Sequence, residues 1–312
     1  MNKNSKIFLA GSSGLVGSSI LEKLKSNGFN NIIVTRKKKI NFTDQKKTFN
    51  FLKKIKPDYV IIASARVGGI VANQSFPADF IYDNLSIELN LIHGSYLSGV
   101  KNLLFLGSSC VYPKDCKQPI KENYLLSGKL EKTNEAYAMA KISGIKLCEF
   151  YSNQHKLNYF SVMPCNVFGA NDNYNLKSSH FIPALIKKIH IAKIKKKKRI
   201  ILWGSGKPLR EVIYSEELAD ACVYLLKKNH KYNLINIGTD TEYTITQYAK
   251  KIMKLLNYNC KIKYDKTKPD GVKRKKLDNS LIKKLGWSSS LDFDQSVLKT
   301  YEFFKKTYNY EK

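Results

Sequence analysis

Three glycines spaced three apart, Gly11, Gly14 and Gly17, follow the apolar run Ile7, Phe8, Leu9, Ala10 and open an amphipathic stretch. No other feature constrains the fold as tightly. A strand that passes through a glycine turn directly into a helix leaves the first N–H groups of that helix facing outward, where they bind a pyrophosphate. The glycines allow the tight turn, the close approach of backbone to phosphate and the close packing of helix on sheet. A glycine triplet recurs by chance; its place between a strand and a helix gives it meaning.

The pattern that starts there repeats. Uninterrupted apolar runs occupy 7–10, 32–35, 59–63, 103–106 and 159–163, and helical periodicity covers 18–26, 43–54, 79–97 and 134–154 between them. Continuous apolar runs are the mark of strands buried on both faces, and parallel neighbours need crossover helices. The expectation is an α/β chain with a Rossmann-like doubly wound parallel sheet. After residue 165 the regularity loosens. Loops rich in Asn, Ser and Gly at 166–179 precede a helix from about Phe181, a strand at 200–203 and helical patterns at 215–228, 244–257 and 291–307. These positions suggest a dinucleotide-binding domain over 1–165, to which later segments return, and a smaller mixed α/β substrate lobe made mainly of 166–312.

The formal net charge of +29 suggests a polyanion as partner, but 49 of the 54 basic residues are lysine. Base and phosphate readout favours the bidentate fork of arginine. The run Lys195 to Arg199 has no interleaved aromatics for base stacking and reads as a solvated loop, so no nucleic acid is expected. No apolar run approaches the roughly 18 residues of a membrane span. The six cysteines include no C-x-x-C pair, and no apolar signal segment is evident near Met1. Free thiols, a cytoplasmic location and no metal are the expectations.

The end of the second strand bears on the cofactor. A binder of NAD carries Asp or Glu there, about 20 residues past the glycines, to hold the ribose diol. Here the positions are Arg36, Lys37 and Lys38, which complement a 2′-phosphate, and Arg36 is one of five arginines. NADPH is therefore expected. Downstream, Ser108 ends the fourth strand, and Tyr137 and Lys141 stand at i and i+4 on one helix face. An ammonium so placed can lower the phenol pKa and hold the nicotinamide ribose. Tyr137 can then protonate a carbonyl oxygen, with Ser108 hydrogen-bonding it. Read by residue type alone, Cys110 is an inert buried thiol and His180 a residue at a helix start.

At this point the chain resembles a known family. Residues 65–73, 77–82, 106–114, 137–141 and 203–206, with Lys268, Pro269, Asp270 and Gly271, resemble the GDP-L-fucose synthases, which are extended short-chain dehydrogenases/reductases. The resemblance implies NADPH-dependent C4 reduction of a GDP-4-keto sugar, with epimerisation at C3 and C5, in nucleotide-sugar biosynthesis for surface glycans. It implies Cys110 as base and His180 as acid for epimerisation. It also implies cofactor contacts from Gly11, Gly14, Leu15, Val16, Gly17, Arg36, Ala63, Ala65, Tyr137, Lys141, Pro164, Asn166 and His180. Substrate contacts would come from Lys188, Trp203 and Arg210, and a homodimer would form through 79–97 and 134–154. Nucleotide-sugar 4,6-dehydratases carry Thr-Asp-Glu where this chain has Ser108, Ser109 and Cys110, so water elimination is not expected. Three departures matter: Lys188 stands where arginine is expected, Ser12 and Ser13 replace a His-Arg pair, and 175–179 differs before His180. They leave open a second reading, a reductase of a GDP-4-keto-(6-deoxy)heptose that does not epimerise.

Overall fold

The computed structural model describes residues 1–35, 39–176 and 178–308. In chain order the first part contains β1 (Ile7–Ala10), α1 (Leu15–Ser26), β2 (Ile32–Val34), α2 (Gln45–Ile55), β3 (Tyr59–Ile62), α3 (Ile70–Ser75), α4 (Pro77–Leu97), β4 (Asn102–Leu106), α5 (Glu135–His155) and β5 (Asn158–Pro164). Then follow β6 (Asn166–Phe168), α6 (Phe181–Ile194), β7 (Arg199–Trp203), β8 (Leu209–Tyr214), α7 (Ser215–Lys227), β9 (Leu234–Ile237), β10 (Glu242–Thr244), α8 (Ile245–Leu255), β11 (Lys261–Asp265), β12 (Arg274–Lys275), α9 (Ser280–Lys284) and α10 (Phe293–Thr307). Among the described residues no helix is long and apolar enough to cross a membrane.

Six parallel strands make the main sheet in the order β2-β1-β3-β4-β5-β9. The doubly wound sheet expected from the apolar runs is present. All four residues of β1 are buried, as sandwiching between helix layers requires. Strand order reverses at β1, between β2 and β3, and such a switch point opens a crevice at the carboxyl ends of the strands. Gly11 leaves β1 there and Ala63 leaves β3, with the Ala63 N–H donating to the Ala10 carbonyl at 2.9 Å.

A second set of strands adjoins it. β8 pairs antiparallel with β10 and parallel with β6 and β12, while β7 and β11 form a separate parallel pair. Helices α6, α8 and α10 supply most of a second apolar cluster with Phe168, Ile200, Leu202 and Tyr214. Helix α8 starts with a capping box between Thr244 and Gln247, which satisfies two N–H groups at its first turn. The run Lys195 to Lys198 follows α6 as exposed side chains.

One buried carboxylate fastens the second set. Glu211, in the middle of β8, accepts from the N–H groups of Thr239 and Asp240 at 2.8 Å each and from Leu277 N–H at 2.9 Å. The Asn279 amide adds a fourth bond at 3.2 Å. These bonds hold the segment after β12 against β8. An amide at position 211 that keeps its oxygen toward Thr239, Asp240 and Asn279 turns its NH2 toward the Leu277 N–H, and an orphaned buried donor costs about 1–3 kcal/mol. Glu211→Gln should therefore lower the unfolding free energy by about that amount, read in urea as a lower midpoint with the slope unchanged.

Candidate functional site

At the crevice the glycine turn is shaped for close approach. Gly11 has φ +90°, and a Cβ there would lie 2.6 Å from the Ala63 carbonyl carbon; a Cβ on Gly17 would lie 2.0 Å from the Gly11 oxygen. Gly14 differs: it has room for a Cβ, and as the cap of α1 it brings no side chain to the helix N–H groups. Those donors are left for an anion, so this turn fits the pyrophosphate of a dinucleotide. Leu15 and Val16 form the first turn of α1, Ala65 follows β3, and Pro164 ends β5. Arg36, on which the NADPH expectation rested most heavily, lies outside the described residues.

Ser108 caps a single 3-10 turn, Ser109–Val111, at the end of β4, and its Oγ accepts from the Cys110 N–H at 3.2 Å. Ser108 also stands close enough to the Tyr137 phenol and the Cys110 thiol to lower the pKa of each. One short turn thus brings Ser108, Cys110 and Tyr137 together.

Lys141 is placed differently from the sequence expectation. Its Nζ lies 5.9 Å from the centre of the Tyr137 ring, 4.5 Å from that of Phe105, and donates to the Leu106 carbonyl at 3.0 Å. Glu88 of α4 lies 3.0 Å away, with both side chains buried. Beyond Lys141 the Glu88 carboxylate has no hydrogen-bond partner, and burial pushes its pKa up to about 7 against the pull of that ammonium. Tyr137 is not acidified. Burial raises its pKa well above the ordinary phenol value, the Cys110 and Glu88 charges add to this, and only the Ser108 bond opposes it. Burial is the main reason, and Lys141, paired with Glu88, does not offset it. Glu88 carries no motif and stands on a helix read only as packing, so nothing in the sequence marked it.

Cys110 faces cations. Lys275 Nζ donates to its Sγ at 3.4 Å, and Arg210 is beside Lys275 in the β8–β12 register. Burial alone would raise the thiol pKa, but Lys275, the Ser108 bond and Arg210 outweigh it and bring the pKa below the ordinary value. His180 caps α6 with no hydrogen bond from its side chain to that helix. Its imidazole keeps accessible surface in the cleft, yet the surrounding protein desolvates it, and with Lys275 this holds its pKa below the ordinary value. Just before it, the Ser178 carbonyl accepts from the Gly69 N–H at 3.1 Å. Segment 65–73 therefore braces the loop leading to His180. Arg66 anchors that segment on α4 through Asp83 at 2.7 Å and Asp79 at 3.1 Å.

The outer residues Lys188, Trp203 and Arg210 come from α6, β7 and β8. Lys188 donates to the Ile201 carbonyl at 2.9 Å and lies 5.5 Å from the centre of the Trp203 ring, which is 43% exposed. The Asp270 carboxylate accepts from the Ser205 N–H at 2.6 Å, while its carbonyl accepts from Arg210 at 3.3 Å. The two motifs at 203–206 and 268–271 are thus one structure. Asn166 sits at the start of β6, and its amide donates to the Glu211 carbonyl at 3.0 Å.

A glycine turn at a switch point, with Ser108, Tyr137 and Lys141 gathered on adjoining elements, defines the class: a doubly wound dinucleotide-binding protein of the short-chain dehydrogenase/reductase type. The chain belongs to the NAD dependent epimerase/dehydratase family, matched over residues 7–238, and within it to the GDP-L-fucose synthase family. It is 45% identical to GDP-L-fucose synthase 1 of Arabidopsis thaliana over 98% of this chain and 94% of that one. It is 46% identical to GDP-L-fucose synthase of Sinorhizobium fredii, covering 96% and 95%. Among solved structures, the GDP-mannoheptose C4 reductase of Campylobacter jejuni with NADP bound matches with a TM-score of 0.90 at 33% identity, over 98% of this chain and 99% of that one.

Removing the carboxylate that faces Lys141 should be costly, because breaking a buried pair from one side strands the other charge, typically at about 3–5 kcal/mol. Glu88→Gln should lose stability of that order in chemical denaturation and bind dinucleotide more weakly in a fluorescence titration. Glu88→Asp, which keeps the charge, should be milder in both.

Proposed function

We propose that the chain is an NADPH-dependent GDP-4-keto-6-deoxy-mannose 3,5-epimerase/4-reductase, a GDP-L-fucose synthase. The observation that carries this reading is that the turn from Ser108 to Cys110, beside Tyr137 of α5, sets a thiol in contact with Lys275 next to a buried phenol. Residues 1–165, with the segments that return to their sheet, would bind the cofactor; the remainder would bind the sugar nucleotide.

In this reading Gly11, Gly14, Leu15, Val16, Gly17, Arg36, Ala63, Ala65, Tyr137, Lys141, Pro164, Asn166 and His180 hold NADPH. Bound there, it supplies the hydride that reaches C4. Everything else falls to the side chains. A C4 ketone acidifies the protons at C3 and C5. Cys110 as thiolate takes such a proton, the C–H electron pair moves into the C–C bond, and negative charge develops on the C4 oxygen. Ser108 and Tyr137 hydrogen-bond that oxygen. An anion formed beside His180 raises its affinity for a proton, which offsets the burial that depresses it in the free protein. His180, having taken up a proton from solvent, returns it to the carbon on the opposite face, and the Cys110 thiol releases its proton to solvent, which resets both groups for the second centre. For reduction, Tyr137 gives its proton to the C4 oxygen as hydride arrives at carbon. Its raised pKa keeps it protonated at neutral pH, the form that this step requires. Lys188, Arg210 and Trp203 receive the GDP, two cations meeting the diphosphate.

A second reading, reduction of a GDP-4-keto-(6-deoxy)heptose without epimerisation, is favoured by Lys188 in place of arginine, by the departures at 175–179 and by the structural likeness to a heptose C4 reductase. Two further inferences accompany the main reading. Tyr82, Leu89 and Leu97 on α4 and Phe150 on α5 are exposed, which suits a homodimer joined through these helices. A cytoplasmic place in the making of surface polysaccharide suits a chain that consumes an activated sugar.

The experiment that tests the reading follows solvent deuterium at C3 and C5 of GDP-4-keto-6-deoxy-mannose by NMR, without NADPH. Exchange at both carbons supports epimerisation, and none supports the reductase alone. Tyr137→Phe should lower NADPH oxidation by about 10²–10⁴-fold, the usual worth of a general acid. Cys110→Ser should abolish deuterium exchange while NADPH still binds.

A further inference from the structure

Lys275 is assigned no part in the chemistry above, yet its surroundings single it out among the lysines. Its Nζ stands 3.4 Å from Cys110 Sγ. Among the described residues no carboxylate pairs with it, although neighbouring cations are paired: Arg274 with Glu242 and Lys114 with Glu131. All of these but Glu242 line one small cavity against Cys110, together with Tyr112, Gln118 and Asn134. Arg210, level with Lys275 on the adjoining strand, likewise has no side-chain carboxylate within ion-pair distance among the described residues. Asp270 and the Cys110 sulfur both act on Arg210, but the group that Lys275 itself contacts is the sulfur.

We propose that Lys275 is the positioning residue that holds Cys110 as a thiolate, ready to abstract the sugar proton, in an ammonium–thiolate pair fixed by β12. This deepens the reading above and rests on Cys110 being the epimerisation base. The geometry assigns the cation a second effect. After burial, Lys275 is the group that disfavours charge on His180. The groups facing the sulfur are Ser108 from its own turn, Tyr137 from α5, Arg210 from β8 and Lys275 from β12. Of these, Tyr137 is a neutral phenol and Ser108 contributes only a hydrogen bond, so the stabilising charge comes from the two cations. Lys275 is the one in contact. The placement depends on Glu211, whose bond to Leu277 secures the strand two residues on.

The test is the rate of alkylation of Cys110 by iodoacetamide across pH, read on the peptide that contains it by mass spectrometry, in the full chain without nucleotide. A lowered pKa means that thiolate forms at lower pH, so the wild-type rate should be half-maximal below pH 9.0, the ordinary thiol value. Lys275→Met should move the profile upward and slow labelling at pH 7 by about tenfold for each unit moved. Lys275→Arg should stay close to wild type. Exchange of deuterium at C3 should fall in Lys275→Met in proportion. Should Lys275→Met fail to fold by circular dichroism, the wild-type profile and Lys275→Arg still decide. A wild-type profile at or above 9.0, or superimposable wild-type and Met profiles, overturns the pair while leaving the base assignment standing. A shifted labelling profile with unchanged deuterium exchange overturns it from the other side, by removing Cys110 as base.

Discussion

Glu211 reaches from the middle of β8 to backbone donors on two separate segments, and the arrangement of the site depends on that reach. It ties 239–240 and 277–279, which Asn279 and Asp240 also join directly, to β8, and it supplements the short pairing of the two-residue β12. A two-residue strand brings only a few hydrogen bonds, so a buried carboxylate with four donors supplies the order that strand length does not. Arg210 precedes Glu211 in the chain. One residue faces the thiol region and the next faces the buried anchor, as alternation along a strand requires.

Charge in the cleft is partitioned by burial. Lys141 is spent on Glu88, so the cation read from the sequence as acidifying Tyr137 instead completes a buried pair behind it. Tyr137 stays a protonated phenol. On the other side of Ser108, Lys275 and Arg210 form no ion pair with a carboxylate among the described residues, and both act on Cys110. In the proposed mechanism the same hydroxyl stands beside a group that would give a proton and a group that would take one, and their opposite environments suit those roles.

Much of this was legible in the sequence, for identifiable reasons. Strands buried on both faces must be continuous apolar runs, and those of the main sheet up to β5 were read within a residue or two. The glycine turn, Ser108, and the Tyr137/Lys141 pair depend on spacing within one turn or one helix, which a sequence displays directly. The strands β6, β10 and β12 were not visible, because pieces of two or three residues are held by β8 and the Glu211 anchor rather than by propensity. Glu88 lies 53 positions before Lys141, and Lys275 lies 165 beyond Cys110 as one lysine among 49. Their roles exist only once α4 packs on α5 and β12 pairs with β8. The departure at Lys188 was readable; that its ammonium caps the Ile201 carbonyl and sits over Trp203 was not.

The central claim is that one chamber both inverts and reduces the sugar. It is tested most directly by the configuration of the product formed from GDP-4-keto-6-deoxy-mannose with NADPH, determined by NMR coupling constants around the ring. GDP-L-fucose, inverted at C3 and C5 and reduced at C4, is the predicted product. A sugar reduced at C4 with C3 and C5 unchanged would contradict the account.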